Sequence, residues 1–229
     1  MNAKPQAVLF DLDGTLLDTA PQFVPCLHQL LEEQPGVHPA TDAAVRACVS
    51  EGAAALIKLT YGAGAEVERP DLLQRLLALY AADPISRTHP FPGTAQLLEW
   101  LDGSGTLWGI VTNKPRRFTE PLLAGVAGRL RSTPAVVVCG DDLRESKPHP
   151  QPLLHALHQI AIEPQAAVYV GDHRRDVEAG RAAKLYTVAA AYGYIGFDEE
   201  VASWAADLTI DSLDQLHVWL AGREETAHV

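Results

Sequence analysis

The chain has no apolar run approaching the roughly 20 residues that cross a bilayer. The short run Ala7-Val8-Leu9-Phe10 ahead of Asp11 is no secretory h-region. Its three cysteines, Cys26, Cys48 and Cys139, are odd in number and far apart, with no C-x-x-C pair, which argues against a disulfide scaffold or a zinc knuckle. Positive charge is also scarce: 18 Lys and Arg face 29 Asp and Glu, for a formal net charge of -11. That balance argues against a nucleic-acid or anionic-membrane partner. A small anionic substrate is compatible with it, because a bound metal or a few local cations reverse the potential inside one cleft. No internal repeat stands out, and 17 glycines with 16 prolines in 229 residues are too few for a fibrous or low-complexity chain. What is there, 47% apolar and 21% charged residues, is the composition of a soluble and, by expectation, cytoplasmic globular protein. The length suits one large domain or one domain carrying a smaller one; oligomeric state is not legible.

Five apolar, β-branched runs predict buried strands: Ala7–Phe10, Leu107–Val111, Ala135–Cys139, Ala166–Val170 and Tyr186–Ala190, with a weaker sixth at Leu208–Ile210. Helical patterns separate them at Thr94–Leu101, Phe118–Val126, Pro152–Ile160, Asp176–Ala183 and Leu213–Leu220. Strands alternating with helices imply an α/β fold: a doubly wound, Rossmann-like parallel sheet with helices on both faces. A βαβ unit takes about 30 residues, yet Phe10 and Val111 are 101 residues apart. The surplus of roughly 70 residues is itself helical. Phe23, Leu27, Leu30 and Leu31 share one face, Val45, Cys48, Val49, Leu56 and Ile57 a second, and Leu72, Leu73, Leu76, Leu77 and Tyr80 a third. The expected division is a core of residues 1–17 and 90–229 with an inserted helical cap over 18–89, its connections near Thr15–Pro21 and Thr88–Gly93.

In an open parallel sheet, ligands collect at the carboxyl ends of the strands. The first run ends in Asp11-Leu12-Asp13-Gly14-Thr15 and the second in Thr112-Asn113-Lys114. The third is followed by a loop carrying Ser146-Lys147-Pro148, and the fourth by Gly171-Asp172 with Asp176 four residues on. Clustered carboxylates repel one another and resist desolvation, so they need a cation. Oxygen ligands without His or Cys point to Mg²⁺ rather than zinc. An Asp outside the metal's ligand set, a lysine and a threonine beside such a metal suit phosphoryl transfer, with a nucleophile, a charge clamp and an acid/base.

These four stretches, in this order, resemble the motifs of the haloacid dehalogenase superfamily in its phosphatase branch, and the insertion point resembles that superfamily's helical cap. The resemblance implies that Asp11 is the nucleophile that forms an aspartyl-phosphate. It implies that Asp13 protonates the leaving group and then deprotonates the hydrolytic water; a dehalogenase usually lacks this second Asp. Thr112, Asn113 and Lys147 would bind the phosphoryl group of a small phosphorylated metabolite, Lys147 also screening Asp11. Mg²⁺ would be held by Asp11, the backbone carbonyl of Asp13 and Asp172, with Asp176 a nearby or water-mediated ligand. His173-Arg174-Arg175 is a local departure, since many relatives carry smaller residues there. Leu107 to Pro121 and Tyr192-Gly193-Tyr194-Ile195 are similar to the phosphoglycolate phosphatases, and most to a subgroup acting on N-acetylmuramic acid 6-phosphate in peptidoglycan recycling.

Each feature also has a plainer reading. Thr112-Asn113 suits an ordinary turn, Lys147 a solvated loop, and Asp172 with Asp176 a helix N-terminus. His155 and His158 share a helix face without a third ligand. His173 is more readily a bystander than a substrate contact. Asp141-Asp142 reads as a solvated loop, and Arg116, Arg117, Arg174 and Arg175 each as a solvated face, although one of them suits a substrate carboxylate. Glu51-Gly52-Ala53-Ala54 is either a plain helix–helix turn or a loop that dips towards the nucleophile. Two other functions use the same parts. One is a sugar phosphomutase working through the same aspartyl-phosphate. The other is a non-catalytic phospho-accepting signalling domain, against which Asp13 and the cap both argue.

Overall fold

The computed structural model describes residues 3–35 and 40–225. In chain order the strands are β1 (Ala7–Phe10), the two-residue β2 (Leu17–Asp18) and β3 (His89–Pro90), β4 (Leu107–Val111), β5 (Val136–Val138), β6 (Ala167–Gly171), β7 (Tyr186–Ala190) and β8 (Leu208–Ile210). Six of them form one sheet in the order β5-β4-β1-β6-β7-β8, and every pair is parallel. β1 sits inside it, with Ala7 opposite both Leu107 and Ala167. The expected strands are all present, within a residue at either end; β5 is the shortest of the five stronger ones because its ladder with β4 covers only Val136–Val138.

The twofold alternation of β1 places its side chains in two cores. Val8 and Phe10 join the larger cluster with α6 (Thr94–Gly103), α7 (Arg116–Leu130) and α10 (Leu213–Glu225). Ala7 and Leu9 join the smaller with α8 (Gln151–Gln159) and α9 (Arg174–Ala182). Helices therefore cover both faces of a sheet whose central strands are fully buried. This is why those strands read as continuous apolar runs.

Between β2 and β3 lies a helical insert: α1 (Ala20–Glu33), α2 (Asp42–Cys48), α3 (Ala53–Tyr61), α4 (Ala65–Glu68) and α5 (Pro70–Ala82). The three apolar faces read from the sequence all point into it, but they are carried by five short helices. Gly52 and Gly62, at φ of 90° and 97°, end the 3-10 turn Val49–Glu51 and α3, and Gly64, at φ of 91°, precedes α4, each where an L side chain would be strained. Thr41 caps α2 by accepting from the Ala44 N–H. Phe23 of α1 stacks on Tyr80 of α5 with ring centroids 4.4 Å apart, and Arg75 reaches across to Glu33.

Both connections to the insert run through the ribbon of β2 and β3, paired antiparallel with Leu17 opposite Pro90 and Asp18 opposite His89. Two residues a strand leave no periodicity to read, so this ribbon was not foreseen. The Tyr194 hydroxyl clamps it from the core, accepting from the Thr19 N–H (2.6 Å) and Ala20 N–H (2.9 Å) and donating to Asp18 (2.8 Å). Arg46 of α2 pairs with the same Asp18 at 2.8 Å and lies over the Tyr194 ring. Among the described residues no helix is long and apolar enough to cross a membrane.

Candidate active site

The loop after β1 is a tight turn: the N–H groups of Leu16 and Leu17 both bond to the Leu12 carbonyl, and Gly14 N–H to Leu17. Gly14 has φ +82°, and a Cβ there would lie 2.0 Å from a carboxylate oxygen of Asp172. Only glycine lets this loop close over the end of β6. The turn sends the Asp11 and Asp13 side chains to different partners.

Asp11 faces Lys147, whose Nζ lies 2.9 Å from Asp11 and 2.8 Å from Asp176. The same ammonium donates to the Val111 carbonyl (3.0 Å) and the Tyr169 hydroxyl (2.8 Å). Lys147 is only 3% exposed. Burial works against its charge, but Asp11 and Asp176 outweigh it, and the ammonium's pKa is raised. Asn113 fixes the lysine's backbone from both sides, donating to the Lys147 carbonyl (2.9 Å) and accepting from its N–H (3.0 Å). Its side chain, expected to bind substrate, is thus occupied in holding the lysine loop against the end of β4.

Asp11, Asp172 and Asp176 bring carboxylate oxygens within 4.8 Å of one another, with Asp172 fully buried and Asp176 1% exposed. Asp172 accepts from the Thr15 hydroxyl (3.1 Å), the Ser50 hydroxyl (3.0 Å) and the Tyr194 N–H (2.9 Å). Burial, then the charges of Asp11 and Asp176, push its carboxyl up to about 8. Burial also raises that of Asp11, against the pull of Lys147. Three carboxylates with one ammonium between them form a charge-deficient pocket of hard oxygen donors, the chemistry of a divalent-cation site. Asp176 serves twice there, because its other oxygen accepts from the His173 N–H (3.1 Å) and completes the N-terminal cap of α9.

The Asp13 carboxylate lies outside that cluster. It accepts from the Thr19 hydroxyl (2.6 Å) and from Lys114 Nζ (3.0 Å). The Lys114 ammonium also sits 4.7 Å from the Tyr80 ring centroid and 5.7 Å from that of Phe23, both on the insert. Burial opposes its charge, but Asp13 prevails and its pKa is raised. Lys114 carries no role in the sequence pattern, although a lysine directly after Thr112-Asn113 is a signal; Tyr169 falls in an expected buried strand, and nothing in the spacing marks it or Ser50. The open choice for Glu51–Ala54 resolves to the dipping loop. The 3-10 turn Val49–Glu51 lowers Ser50 onto Asp172, and Glu51 pairs with His173 and Arg175. Asp141 and Asp142 lie in an exposed loop, as expected, and also tie down the start of α7, accepting from the Arg116 N–H and guanidinium, and Asp142 from the Cys139 N–H as well.

Together these groups line a cavity of about 310 Å³ between sheet edge and insert. Its core side carries Asp11, Asp13, Thr112, Asn113, Lys114 and Lys147; its insert side carries Phe23, Val49, Leu77 and Tyr80.

A parallel sheet with an insert after the first strand, and an Asp, Lys and Asp cluster at its carboxyl edge, define a class of hydrolases. The pattern of the haloacid dehalogenase-like hydrolases matches residues 8–190, and the chain belongs to that family. It is 40% identical over 207 residues to the N-acetylmuramic acid 6-phosphate phosphatase of Pseudomonas aeruginosa, covering 90% of each chain. It is 39% identical over 212 residues to a phosphoglycolate phosphatase of Xanthomonas campestris, covering 93% of this chain and 95% of that one. The crystal structure of a predicted phosphoglycolate phosphatase from Haemophilus somnus shares the fold at a TM-score of 0.79 and 24% identity, over 96% of this chain and 99% of that one. The chain is thus an enzyme, and its relatives across nine-tenths of its length are phosphatases.

Proposed function

We propose that the protein hydrolyses the phosphomonoester of a small metabolite through an aspartyl-phosphate on Asp11, with Mg²⁺ as cofactor. N-acetylmuramic acid 6-phosphate is the favoured substrate and 2-phosphoglycolate the second candidate. The observation that carries the reaction class is the division of labour between two aspartates two residues apart: Asp11 lies against Lys147 within the carboxylate cluster, and Asp13 lies outside it.

Asp11 attacks the phosphorus, and the bond to the leaving alcohol breaks as Asp13 delivers a proton to the departing oxygen. Asp13 then takes a proton from water, which attacks the phosphorus of the acyl phosphate and regenerates Asp11. Lys147 holds the nucleophile in place and, with Thr112, faces the charge of the phosphoryl oxygens. Asn113 keeps Lys147 in register. Asp11, Asp172 and the backbone carbonyl of Asp13 would hold Mg²⁺, with Asp176 beside them. When bound, the cation supplies charge neutralisation between carboxylate and phosphate. The insert acts as a cap over 18–89 that excludes bulk water.

The apolar cap wall favours the sugar ester. A two-carbon acid offers no apolar surface to Phe23, Val49, Leu77 and Tyr80, whereas an N-acetylated sugar with a lactyl ether does. Phosphate release from both esters in the presence of Mg²⁺, with Asp11→Asn as control, tests the reading. Higher kcat/KM on the muramic ester is expected. Release from neither, by folded protein, overturns it.

A further inference from the structure

Several charged side chains line the cavity, and nearly all are matched. Lys147 is held by Asp11 and Asp176, and Lys114 by Asp13. His173 pairs with Glu51, while Arg175 faces Glu51 and donates to the Ser50 carbonyl. Of the other arginines beside the motifs, Arg116 is bound to Asp142 and Glu120 and Arg174 to Glu199. Arg117 differs from all of them. It lines the cavity, and among the described residues no carboxylate lies within ion-pair distance of it.

Arg117 is an exposed residue of the first turn of α7. Its guanidinium lies 4.7 Å from the centroid of Phe118, itself a cavity residue in edge contact with Tyr80. A planar fork resting on a ring is pre-oriented for a planar, two-oxygen anion.

We infer that Arg117 is a specificity-determining residue that takes a carboxylate on the leaving-group portion of the substrate. The inference rests on the phosphatase reading: the phosphoryl group already has Lys147 and Thr112 to meet it, so an additional unmatched cation in the same cavity calls for a second anion. The substrate class is then a phosphomonoester of a hydroxy acid, or of a sugar bearing a carboxylate.

The test uses pairs of esters of which one member bears the acid and the other does not. N-acetylmuramic acid 6-phosphate is paired with N-acetylglucosamine 6-phosphate, which lacks the lactyl acid, and 2-phosphoglycolate with the monophosphate of ethylene glycol. The readout is the ratio of kcat/KM within each pair. Wild-type protein is expected to prefer the carboxylate ester in at least one pair by about 10-fold or more, as suits a charge-assisted, two-point hydrogen bond. Arg117→Gln is expected to collapse that ratio, chiefly through KM, and Arg117→Lys to leave it intermediate, since charge remains and the fork is lost. A wild-type ratio near one in both pairs overturns the inference, as does a loss in Arg117→Gln that falls equally on both members. Wild-type protein that hydrolyses no ester at all overturns the phosphatase reading, and the carboxylate site with it.

Discussion

The two walls of the cavity are built on opposite principles. On the core side, the polar groups around the carboxylate cluster are each fixed by at least one neighbour: Lys147 by four oxygens, Asn113 by two backbone bonds, Asp172 by three donors. On the cap side the wall is mainly apolar, Phe23, Val49, Leu77 and Tyr80, with Ser50 and Glu51 of the 3-10 turn as its polar tip. A wall of mutually bonded charges tolerates no displacement, because each partner removed leaves a buried charge exposed to its like. A wall of dispersion contacts tolerates resizing, at a loss proportional to the area given up. Groups suited to bond making therefore gather on the first wall, while the second adapts to the apolar part of a substrate, and substitutions on the two should fail in different ways.

The largest expected effect is at Asp11. Asp11→Asn should lower kcat by about 10³-fold or more on every ester, as loss of a covalent nucleophile does. Its circular dichroism should match wild type, because a neutral amide removes one of three mutually repelling carboxylates. A uniform loss below tenfold would take the nucleophile's role from it. Asp13→Ala should cost about 10²- to 10⁴-fold on alkyl phosphates and far less on p-nitrophenyl phosphate, whose leaving group needs no proton. Equal losses on both would place Asp13 outside proton transfer.

The contrast also explains how much was legible beforehand. Asp11, Asp13, Thr112, Lys147, Asp172 and Asp176 lie at or near strand ends, where a buried apolar run gives way to polar residues and local sequence places the side chain. The groups that steady them did not show. Tyr169 is a strand residue like its neighbours, and its link to Lys147 and Asp176 exists only in three dimensions. Ser50 reaches Asp172 across 122 residues, and Tyr194 reaches Asp18 across 176. Hydrophobic period marks which face of an element is buried, not which polar atom a distant loop delivers. The paired residues of β2 and β3 were invisible for a simpler reason: a two-residue strand has no period.

The carboxylate cluster yields a pH test. Asp172 titrates near 8 in the folded, metal-free chain against a reference of 3.8. A raised folded value means that the protonated form is the one the fold favours. That contribution is complete below about pH 4 and is lost as the pH climbs through 8. The metal-free protein should therefore lose thermal stability from about pH 4 to about pH 8, with the loss levelling off above that. Cation binding needs the carboxylate, so Mg²⁺ at a fixed concentration should raise Tm more at about pH 8.5 than at about pH 6. At 100 times Kd the stabilisation is about 2.7 kcal/mol, or roughly 5–10 °C for a chain of this size. A shift independent of pH would move the metal away from Asp172.

A smaller effect is expected where the two walls are joined. Tyr194→Phe strands the Thr19 and Ala20 N–H groups and leaves the Asp18 carboxylate with Arg46 but without its hydroxyl donor. The loss should be about 1–3 kcal/mol of stability, seen as a lower denaturant midpoint.

The least drastic substitution isolates the cap wall. Leu77 lines the cavity from α5 and is partly buried. Shortening it to alanine removes apolar contact from the substrate's leaving group and touches no charge on the core side. If that wall sets affinity alone, Leu77→Ala should raise KM for N-acetylmuramic acid 6-phosphate about fivefold, the scale of a methylene or two withdrawn from an apolar pocket. It should leave kcat within about twofold, because the bond-making groups keep their partners. 2-Phosphoglycolate, too short to press on α5, should barely register the change. A fall in kcat shared by both esters would mean that the cap wall also sets the geometry of Asp13, through Lys114 against Tyr80. The separation between a rigid chemical wall and an adjustable recognition wall would then fail at Lys114, which touches both.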